Sequence, residues 1–341
     1  MIPSNLAAAF TFQGEACIAM KSPFMGQLCA LLGRRDWPDT QLRARYFAWK
    51  GDIGPNAQSL PLRLAGGLHA LVINGDPLAA AYPPHTVDDD TLWAAVVDAM
   101  DREDAFLNDW VESPPQTNEV RRAAVLIAVG QVLADRFGLP MRLSELGASG
   151  GLNLMWDQFA ADLGGKRFGK ASAAVILTPD WDGKAPPDSD PVVIARRGVD
   201  LNPLNPRDPA DQLRLLAYLW PDQPDRMART VAAIDVFDAQ VDQADAIDWL
   251  AGQLDNVAGQ LHLTYHTIAW QYFPADVQAR GAAMIAAAGG KATDNSPLAW
   301  FGMEPDGQSA GAVMTLRIWP GDITIDLGSV DFHGRWVQWK G

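Results

Sequence analysis

The sequence predicts an α/β protein in which a mostly helical N-terminal region precedes a Rossmann-like sheet with an antiparallel C-terminal edge. From about residue 140, strand-like apolar segments alternate with amphipathic helical ones, which predicts parallel βαβ units. A glycine-rich turn, Gly147–Gly151, follows the first of these strands. Near the C-terminus, strand-like segments follow one another without intervening helices, which predicts the antiparallel edge.

Helical periodicity dominates the first third of the chain, where apolar residues recur three and four positions apart between Pro and Gly breaks. Ser113-Pro114-Pro115 is the strongest internal boundary. We therefore expect a helical domain over residues 1–115 and a Rossmann-like domain over residues 116–341. The helices predicted before the boundary are Gln13–Met20, Phe24–Leu32, Leu60–Asn74 and Thr91–Val111.

Beyond the boundary, one segment at 164–190 is rich in Gly, Pro and Asp and is predicted to be an inserted loop or hairpin. The predicted helices are Glu119–Phe137, Leu152–Asp162, Asp208–Leu219, Asp225–Asp235, Ala246–Leu254 and Ala275–Ala288. The predicted strands are Met141–Leu146, Leu261–His266, Ala312–Trp319, Ile323–Leu327 and Trp336–Trp339, with another ending at Asp200.

Composition restricts the class of function. The 341 residues carry a net charge of −14, which repels phosphate backbones, so we expect a small-molecule or protein partner and no nucleic acid. No apolar run reaches the roughly 20 residues of a membrane-spanning helix, so no membrane partner is expected. The N-terminal stretch lacks the basic residues of a secretory signal. Cys17 and Cys29 suit a reducing cytoplasm, as buried small side chains or as a redox pair.

The segment Glu145-Leu146-Gly147-Ala148-Ser149-Gly150-Gly151 lies where a predicted strand ends and a predicted helix begins. Glycine and small residues there let a ligand approach the backbone, and a helix N-terminus presents N–H groups to it. The dinucleotide pattern Gly-x-Gly-x-x-Gly fails, because Ser149 and Leu152 occupy its second and third glycine positions. The acid-x-Gly-x-Gly-x-Gly pattern of S-adenosylmethionine enzymes fits better, with serine as its middle small residue.

We therefore expect S-adenosylmethionine as cofactor, with the acid of the turn near its ammonium group. Asp200 is expected to accept hydrogen bonds from ribose hydroxyls, and Asp245 either faces adenine or only caps the following helix. A tight turn without a ligand, capped by its serine, is the alternative. The predicted cofactor-binding residues are Glu145, Gly147, Ser149, Gly151, Asn153, Asp200 and Asp245.

The strand Leu261–His266 ends at the edge where open α/β sheets bind ligands. His266 is predicted as a general base, and Tyr265 or Trp270 as an aromatic face for a sulfonium, so His266 and Tyr265 are the catalytic candidates. The alternative is a strand-end histidine bonded to backbone among core aromatic rings. His262 precedes His266 by four residues, but a strand separates such a pair, so no metal is expected.

Polar residues open the helix that leads into the first predicted strand. Gln116, Asn118 and Glu119 either line the substrate pocket with Trp270 or stabilise the helix start, Asn118 as its cap and Glu119 in its first turn. Glu304, near the C-terminal strands, is expected to reach the same crevice, as is His333.

Several blocks of the sequence resemble the bacterial domain-of-unknown-function 2332 family. The resemblance extends along almost the whole chain and implies a helical N-terminal part before a methyltransferase-like Rossmann domain. It implies no activity, because the family name assigns none. The blocks are Ser22-Pro23, Gln116–Val120, Glu145–Leu154, Gly198–Pro203, Trp220-Pro221-Asp222 with Arg226, and His333-Gly334 with Trp336.

These residues favour an S-adenosylmethionine-dependent methyltransferase that acts on an unidentified small molecule. Two alternatives remain, since a fold does not decide function. One is a nicotinamide-nucleotide oxidoreductase on the same fold. The absence of the Gly-x-Gly-x-x-Gly spacing from the turn argues against it. The other is a non-catalytic nucleotide- or ligand-binding protein.

Overall fold

Helices dominate the chain up to residue 137 and recur between strands after it. The computed structural model describes residues 2–55 and 57–341, so Met1 and Asn56 lie outside the described residues. The α-helices are α1 (Ser4–Ala19), α2 (Pro23–Arg34), α3 (Gln41–Phe47), α4 (Leu60–Ile73), α5 (Asp89–Arg102), α6 (Asp104–Trp110), α7 (Ala123–Phe137), α8 (Pro209–Ala217), α9 (Pro224–Asp235), α10 (Ala246–Leu250) and α11 (Ala275–Gly289). Short 3-10 helices cover Pro77–Ala81, Val120–Arg122, Leu152–Gln158 and Trp270–Tyr272.

The strands begin after α7, where Gly138 ends the helix in the left-handed conformation and Pro140 follows. They are β1 (Met141–Leu146), β2 (Ala160–Leu163), β3 (Lys166–Gly169), β4 (Ile176–Leu177), β5 (Asp180–Asp182), β6 (Val193–Asp200), β7 (Gln240–Gln243), β8 (Leu261–Thr267), β9 (Leu298–Pro305), β10 (Ala312–Trp319), β11 (Ile323–Val330) and β12 (Trp336–Trp339).

The chain divides into two compact units. The first joins the residues up to Thr117 with Arg207–Ala228, and the second joins Asn118–Pro206 with Arg229–Gly341. The predicted division at residue 115 stays a prediction. A mixed α/β protein with a mostly helical N-terminal region and antiparallel C-terminal strands is confirmed.

The first unit packs its helices around an apolar core. Helices α1 and α2 approach closely because Gly14 lies against Gly26, where a side chain would collide. The N-terminus of α2 is capped by Asp222, which accepts hydrogen bonds from the Ser22 hydroxyl and from the Phe24 N–H. Two sequence blocks 200 residues apart, Ser22-Pro23 and Trp220-Pro221-Asp222, therefore meet within this unit.

The second unit is built on a nine-stranded sheet in the order β5-β12-β11-β10-β9-β8-β1-β6-β7. From β7 to β9 the neighbouring strands are parallel, and from β9 to β12 they are antiparallel. Numbered along the chain, the five parallel strands have the order 3-2-1-4-5, so the order reverses between β1 and β8. Helices α10 and α11 cover one face of the parallel part, with Ile247 and Ile285 in a core that includes Leu146 and Leu298.

The connection from β1 to β6 differs from the prediction. The predicted helix Leu152–Asp162 is wrong: a 3-10 helix ends at Gln158 and strand β2 follows. The segment predicted as an insert at 164–190 supplies β3 and β4, which pair with β2 in a separate three-stranded sheet, and β5, which pairs with β12. Extended strand pairing therefore replaces the crossover helix that a βαβ unit would carry.

Most other predicted elements are confirmed. The bounds of β1, β10 and β12 agree with the prediction. The predicted helix Thr91–Val111 is two helices, α5 and α6, which meet at Glu103. Helix α3 and strands β7 and β9 have no counterpart among the predicted elements.

Candidate functional site

The glycine turn lies at the carboxyl end of β1 and contains three residues in the left-handed region. The φ angles are 70° at Gly147, 53° at Ser149 and 71° at Gly151. Asp200, at the end of β6, holds this turn: its Oδ2 accepts the Ser149 N–H at 2.8 Å, while Oδ1 accepts the Asn202 N–H at 2.9 Å. The acid predicted to bind ribose is therefore already bonded to the backbone of the turn.

The glycines of the turn are required by the packing of the protein itself. A Cβ added at Gly147 would lie 2.5 Å from the Ala269 Cβ, and one at Gly151 would lie 2.6 Å from a methyl group of Val241. Together with the positive φ angles, these contacts explain both glycines without a ligand. Their predicted cofactor-binding role stays a prediction.

A buried acid lies beside the turn, in what we call the Glu145 cluster: Glu145, Tyr265 and Asn153. The Tyr265 hydroxyl lies 3.5 Å from Glu145 Oε2 and 3.3 Å from the backbone oxygen of Asn153. Glu145 is 2% exposed, and burial raises its pKa to about 8, although nearby Arg122 and the Tyr265 hydroxyl oppose the shift. At neutral pH the Glu145 carboxyl is therefore mostly protonated.

A second group, the His266 cluster, comprises His266, Glu304, Trp270 and Trp300. His266 Nδ1 lies 2.8 Å from Glu304 Oε1, and the imidazole stacks on Trp270 with 4.8 Å between ring centroids. Gly302 leaves room for it, since a Cβ there would lie 2.9 Å from His266 Cε1. His266 is 3% exposed, and its Nε2 has no hydrogen-bond partner among the described residues. A carboxylate on Nδ1 favours the tautomer whose Nε2 accepts a proton.

Glu304 also holds the loop after β8. Its carboxylate accepts the N–H groups of Ala269 at 2.9 Å, Trp270 at 3.0 Å and Gln271 at 3.4 Å. Burial opposes the ionisation of Glu304, but the bonds from His266 and the backbone outweigh it and lower its pKa. The loop starts at Ile268, whose φ of 55° is rare for a β-branched residue. Such strain persists where the surroundings hold it, and it concentrates at functional sites.

The two catalytic candidates do not share a site. Tyr265 and His266 are consecutive in β8, so their side chains lie on opposite faces of the sheet. Tyr265 joins the Glu145 cluster and His266 joins Glu304. Tyr265 is fully buried, and burial and then the nearby Glu145 raise its pKa well above the ordinary value.

Three other candidates have structural contacts. The sequence suggested Asn118 as the cap of the helix that follows it. Instead, its Oδ1 accepts the Leu152 N–H at 2.8 Å. Glu119 instead caps the 3-10 helix Val120–Arg122. Asp245 caps α10 by accepting the Ile247 and Asp248 N–H groups, so its capping role is confirmed and an adenine contact stays a prediction.

The remaining polar candidates differ in their surroundings. Asn153 donates from Nδ2 to the Glu119 oxygen at 3.3 Å, while its Oδ1 and the Ser149 Oγ are buried without a hydrogen-bond partner in residues 2–55 and 57–341. Gln116 belongs to the first unit, and its predicted place in the substrate pocket stays a prediction.

Arg122 is a site residue that sequence reasoning missed. Its guanidinium donates to the backbone oxygens of Thr267, at the end of β8, and of Phe332, at 2.9 and 3.0 Å. It also lies close enough to Glu145 to counteract the rise of that pKa. Its position two residues after the Gln116–Val120 block was the available signal.

Comparison with known proteins confirms the family resemblance. Residues 7–339 match the family described as an uncharacterized protein conserved in bacteria, DUF2332. No curated protein and no solved structure matches the chain. Within the described residues, no helix has the length and apolar character needed to cross a membrane.

Gly147→Ala should destabilise the protein by about 2 kcal/mol more than Gly165→Ala, measured by urea denaturation. Both glycines have positive φ, but a Cβ at Gly165 meets nothing within 4 Å, whereas one at Gly147 overlaps Ala269. Gly165→Ala therefore reports the cost of the backbone conformation alone. Equal losses in the two variants would show that Ala269 does not fill the turn.

Glu145 should make stability depend on pH. Its pKa rises from an ordinary 4.5 to about 8 on folding, so the folded chain holds a proton that the unfolded chain releases between these values. Burial lowers the pKa of His262 to about 3 and also lowers that of His69, and these groups give the opposite slope below about pH 6.5. The Glu145 contribution should therefore appear as a fall in the free energy of unfolding between about pH 7 and 8, by up to about 1.4 kcal/mol per pH unit. Glu145→Gln should abolish this slope in urea titrations at several pH values. Glu112→Gln, at an exposed carboxylate, should retain it.

Glu304→Gln should destabilise the protein by about 1–3 kcal/mol, because His266 and backbone N–H groups lose a charged acceptor. Combined with His266→Ala, the two losses should be less than additive, because both remove the same contact. Asp326→Asn, at an exposed carboxylate, should change stability by less than about 0.5 kcal/mol. Full additivity in urea denaturation would contradict the His266–Glu304 coupling.

Proposed function

This chain belongs to the DUF2332 family, and we propose that its second unit is a Rossmann-like, S-adenosylmethionine-dependent methyltransferase acting on a small molecule. The proposal rests on the order of the parallel strands, β7-β6-β1-β8-β9. In open α/β sheets, ligands bind beyond the carboxyl ends of the strands where the order reverses. Here the reversal lies between β1 and β8, the two strands that the glycine turn and the Ile268 loop follow.

The polar atoms around the turn support a ligand there. Ser149 Oγ and Asn153 Oδ1 are buried and make no hydrogen bond to any described residue, and buried polar atoms are normally paired. Each carboxylate oxygen of Asp200 accepts one backbone N–H and keeps a further lone pair. Ribose hydroxyls donate hydrogen bonds of the kind that Asp200 can still accept.

The proposed chemistry divides between cofactor and protein. S-adenosylmethionine, when bound, supplies an electrophilic methyl group. His266 would take the proton of the acceptor at Nε2, with Glu304 fixing the ring from Nδ1. Positioning contributes most of the rate in such a reaction, and the carboxylate-held loop after β8 serves that purpose.

A non-catalytic ligand-binding protein is the second candidate. The observation that favours it is the burial of His266, which is 3% exposed beneath the Trp270 ring. A general base must reach the proton that it removes, so such burial suits a structural histidine better. Binding of the cofactor without turnover of any acceptor is the result that this second candidate predicts.

S-adenosylhomocysteine should raise the Tm of the purified protein in a thermal shift assay. A ligand at 100 times its Kd stabilises by about 2.7 kcal/mol, which such an assay detects. Ser149→Ala should leave the stability of the free protein unchanged, since the hydroxyl bonds to no described residue, but should weaken binding roughly fivefold. Asp200→Asn should weaken it at least as much.

Asp162→Asn is the matched control, because Asp162 pairs with Arg167 in the three-stranded sheet. It should bind S-adenosylhomocysteine as the unchanged protein does. A Tm rise with NADP or NAD but none with S-adenosylhomocysteine would contradict the proposal in favour of a nicotinamide enzyme. Unchanged affinity in Ser149→Ala and Asp200→Asn would remove the glycine turn as the site.

A further inference from the structure

Three hydrogen-bond donors without an acceptor lie together in the first unit. They belong to what we call the Trp110 cluster: Trp110 at the end of α6, Arg214 in α8, and Tyr218 directly after α8. Trp110 Nε1, Arg214 Nη1 and the Tyr218 hydroxyl are each buried and make no hydrogen bond within residues 2–55 and 57–341. Unpaired buried polar groups are rare and call for a water, an ion or a ligand.

The three side chains are in mutual contact. The Arg214 guanidinium carbon lies 4.4 Å from the Trp110 ring centroid, and the Trp110 and Tyr218 rings are 5.9 Å apart. Burial raises the pKa of Tyr218, while Arg214 and the Trp110 indole lie close enough to its oxygen to counteract part of that rise. Trp110 is 4% and Tyr218 8% exposed, so their polar ends meet inside the unit.

Helix α4 carries two adjacent glycines that make this arrangement possible. A Cβ added at Gly66 would lie 2.5 Å from the Tyr218 ring, and one at Gly67 would lie 3.0 Å from Trp110. Glycine in a helix interior costs roughly 0.5–1 kcal/mol relative to alanine. The two glycines therefore lower the stability of α4, and they leave the space that the Tyr218 and Trp110 rings occupy.

The cluster has the charge of a monoanion site. Trp and Arg side chains only donate hydrogen bonds, and a tyrosine hydroxyl can donate as well. Arg63, the other guanidinium near Tyr218, already donates to the backbone oxygens of Gln58, Val111 and Glu112. Arg63 therefore has its donors engaged, and Arg214 is the guanidinium of the cluster that still has a donor for a ligand. A single guanidinium pairs well with one carboxylate.

We propose that the Trp110 cluster binds a small monocarboxylate with a flat apolar body. Its carboxylate would accept hydrogen bonds from Arg214, Trp110 and Tyr218, and its body would lie against the aromatic rings. Phe106, whose ring is 5.7 Å from that of Trp110, extends this aromatic surface. The site lies wholly within the first unit and does not depend on methyl transfer in the second.

Benzoate is the probe for this site, used with the whole 341-residue chain in thermal shift and isothermal titration experiments. It should raise the Tm beyond the effect of sodium chloride at equal ionic strength. Tyr218→Phe keeps the ring on Gly66 and removes only the hydroxyl, so it should weaken benzoate binding roughly fivefold. Arg214→Gln should abolish binding, because the guanidinium that pairs with the carboxylate is lost.

Tyr82→Phe is the matched control, because the Tyr82 hydroxyl is also buried and unpaired within the described part of the first unit but lies outside the cluster. It should bind benzoate as the unchanged protein does. If Arg214→Gln fails to fold, Tyr218→Phe still decides the question. A Tm rise no larger than that with sodium chloride, equal affinity in Tyr218→Phe, or a response to phosphate but not to benzoate would each overturn the proposal.

Discussion

Carboxylates at the ends of two strands hold the loops that follow the strands beside them. Asp200, ending β6, bonds to Ser149 in the loop after β1, and Glu304, in β9, bonds to the loop that begins at Ile268 after β8. Each loop contains a non-glycine residue at positive φ, which costs about 1–2 kcal/mol. Charge-assisted hydrogen bonds offset that cost. These two loops flank the point where the strand order reverses. A carboxylate that accepts backbone N–H groups therefore holds the loop on each side of the proposed site.

Elements with a strong local signal were predictable from the sequence. Strands β1, β10 and β12 are short strand-like segments, with apolar alternation clearest in β10, and their predicted bounds agree with the structure. The predicted helix Leu152–Asp162 is wrong because this apolar segment forms a 3-10 helix and then strand β2, which pairs with β3 and β4. The local sequence does not show which later segments will pair with it. Strand β9 has no predicted counterpart because Trp300 and Gly302, on its less buried face, obscure the alternation of apolar and polar residues.

The candidate site was predictable only in its placement at strand ends. That Asp200 lies near the glycine turn follows from the rule that parallel strands end at one edge. The hydrogen bonds from Ser149 and Asn202 to the Asp200 carboxylate depend on side-chain rotamers and loop geometry. The sequence alone does not show either of these. The separation of Tyr265 from His266 follows from strand alternation, because consecutive residues of a strand face opposite sides of the sheet. The choice of Glu304 as the partner of His266 required knowing that β9 lies beside β8.

The burial of Glu145 changes the role that its position suggested. A carboxyl with a pKa of about 8 is mostly neutral at pH 7, so it is not a ready counter-ion for an ammonium group. Ionising it at pH 7 costs about 1.4 kcal/mol, since its pKa lies one unit higher. A cation bound within a few ångströms in a buried site recovers more than this. In the proposed methyltransferase, an ammonium group beside Glu145 would displace its proton, and in the free protein Glu145 acts as a neutral hydrogen-bonding partner of Tyr265.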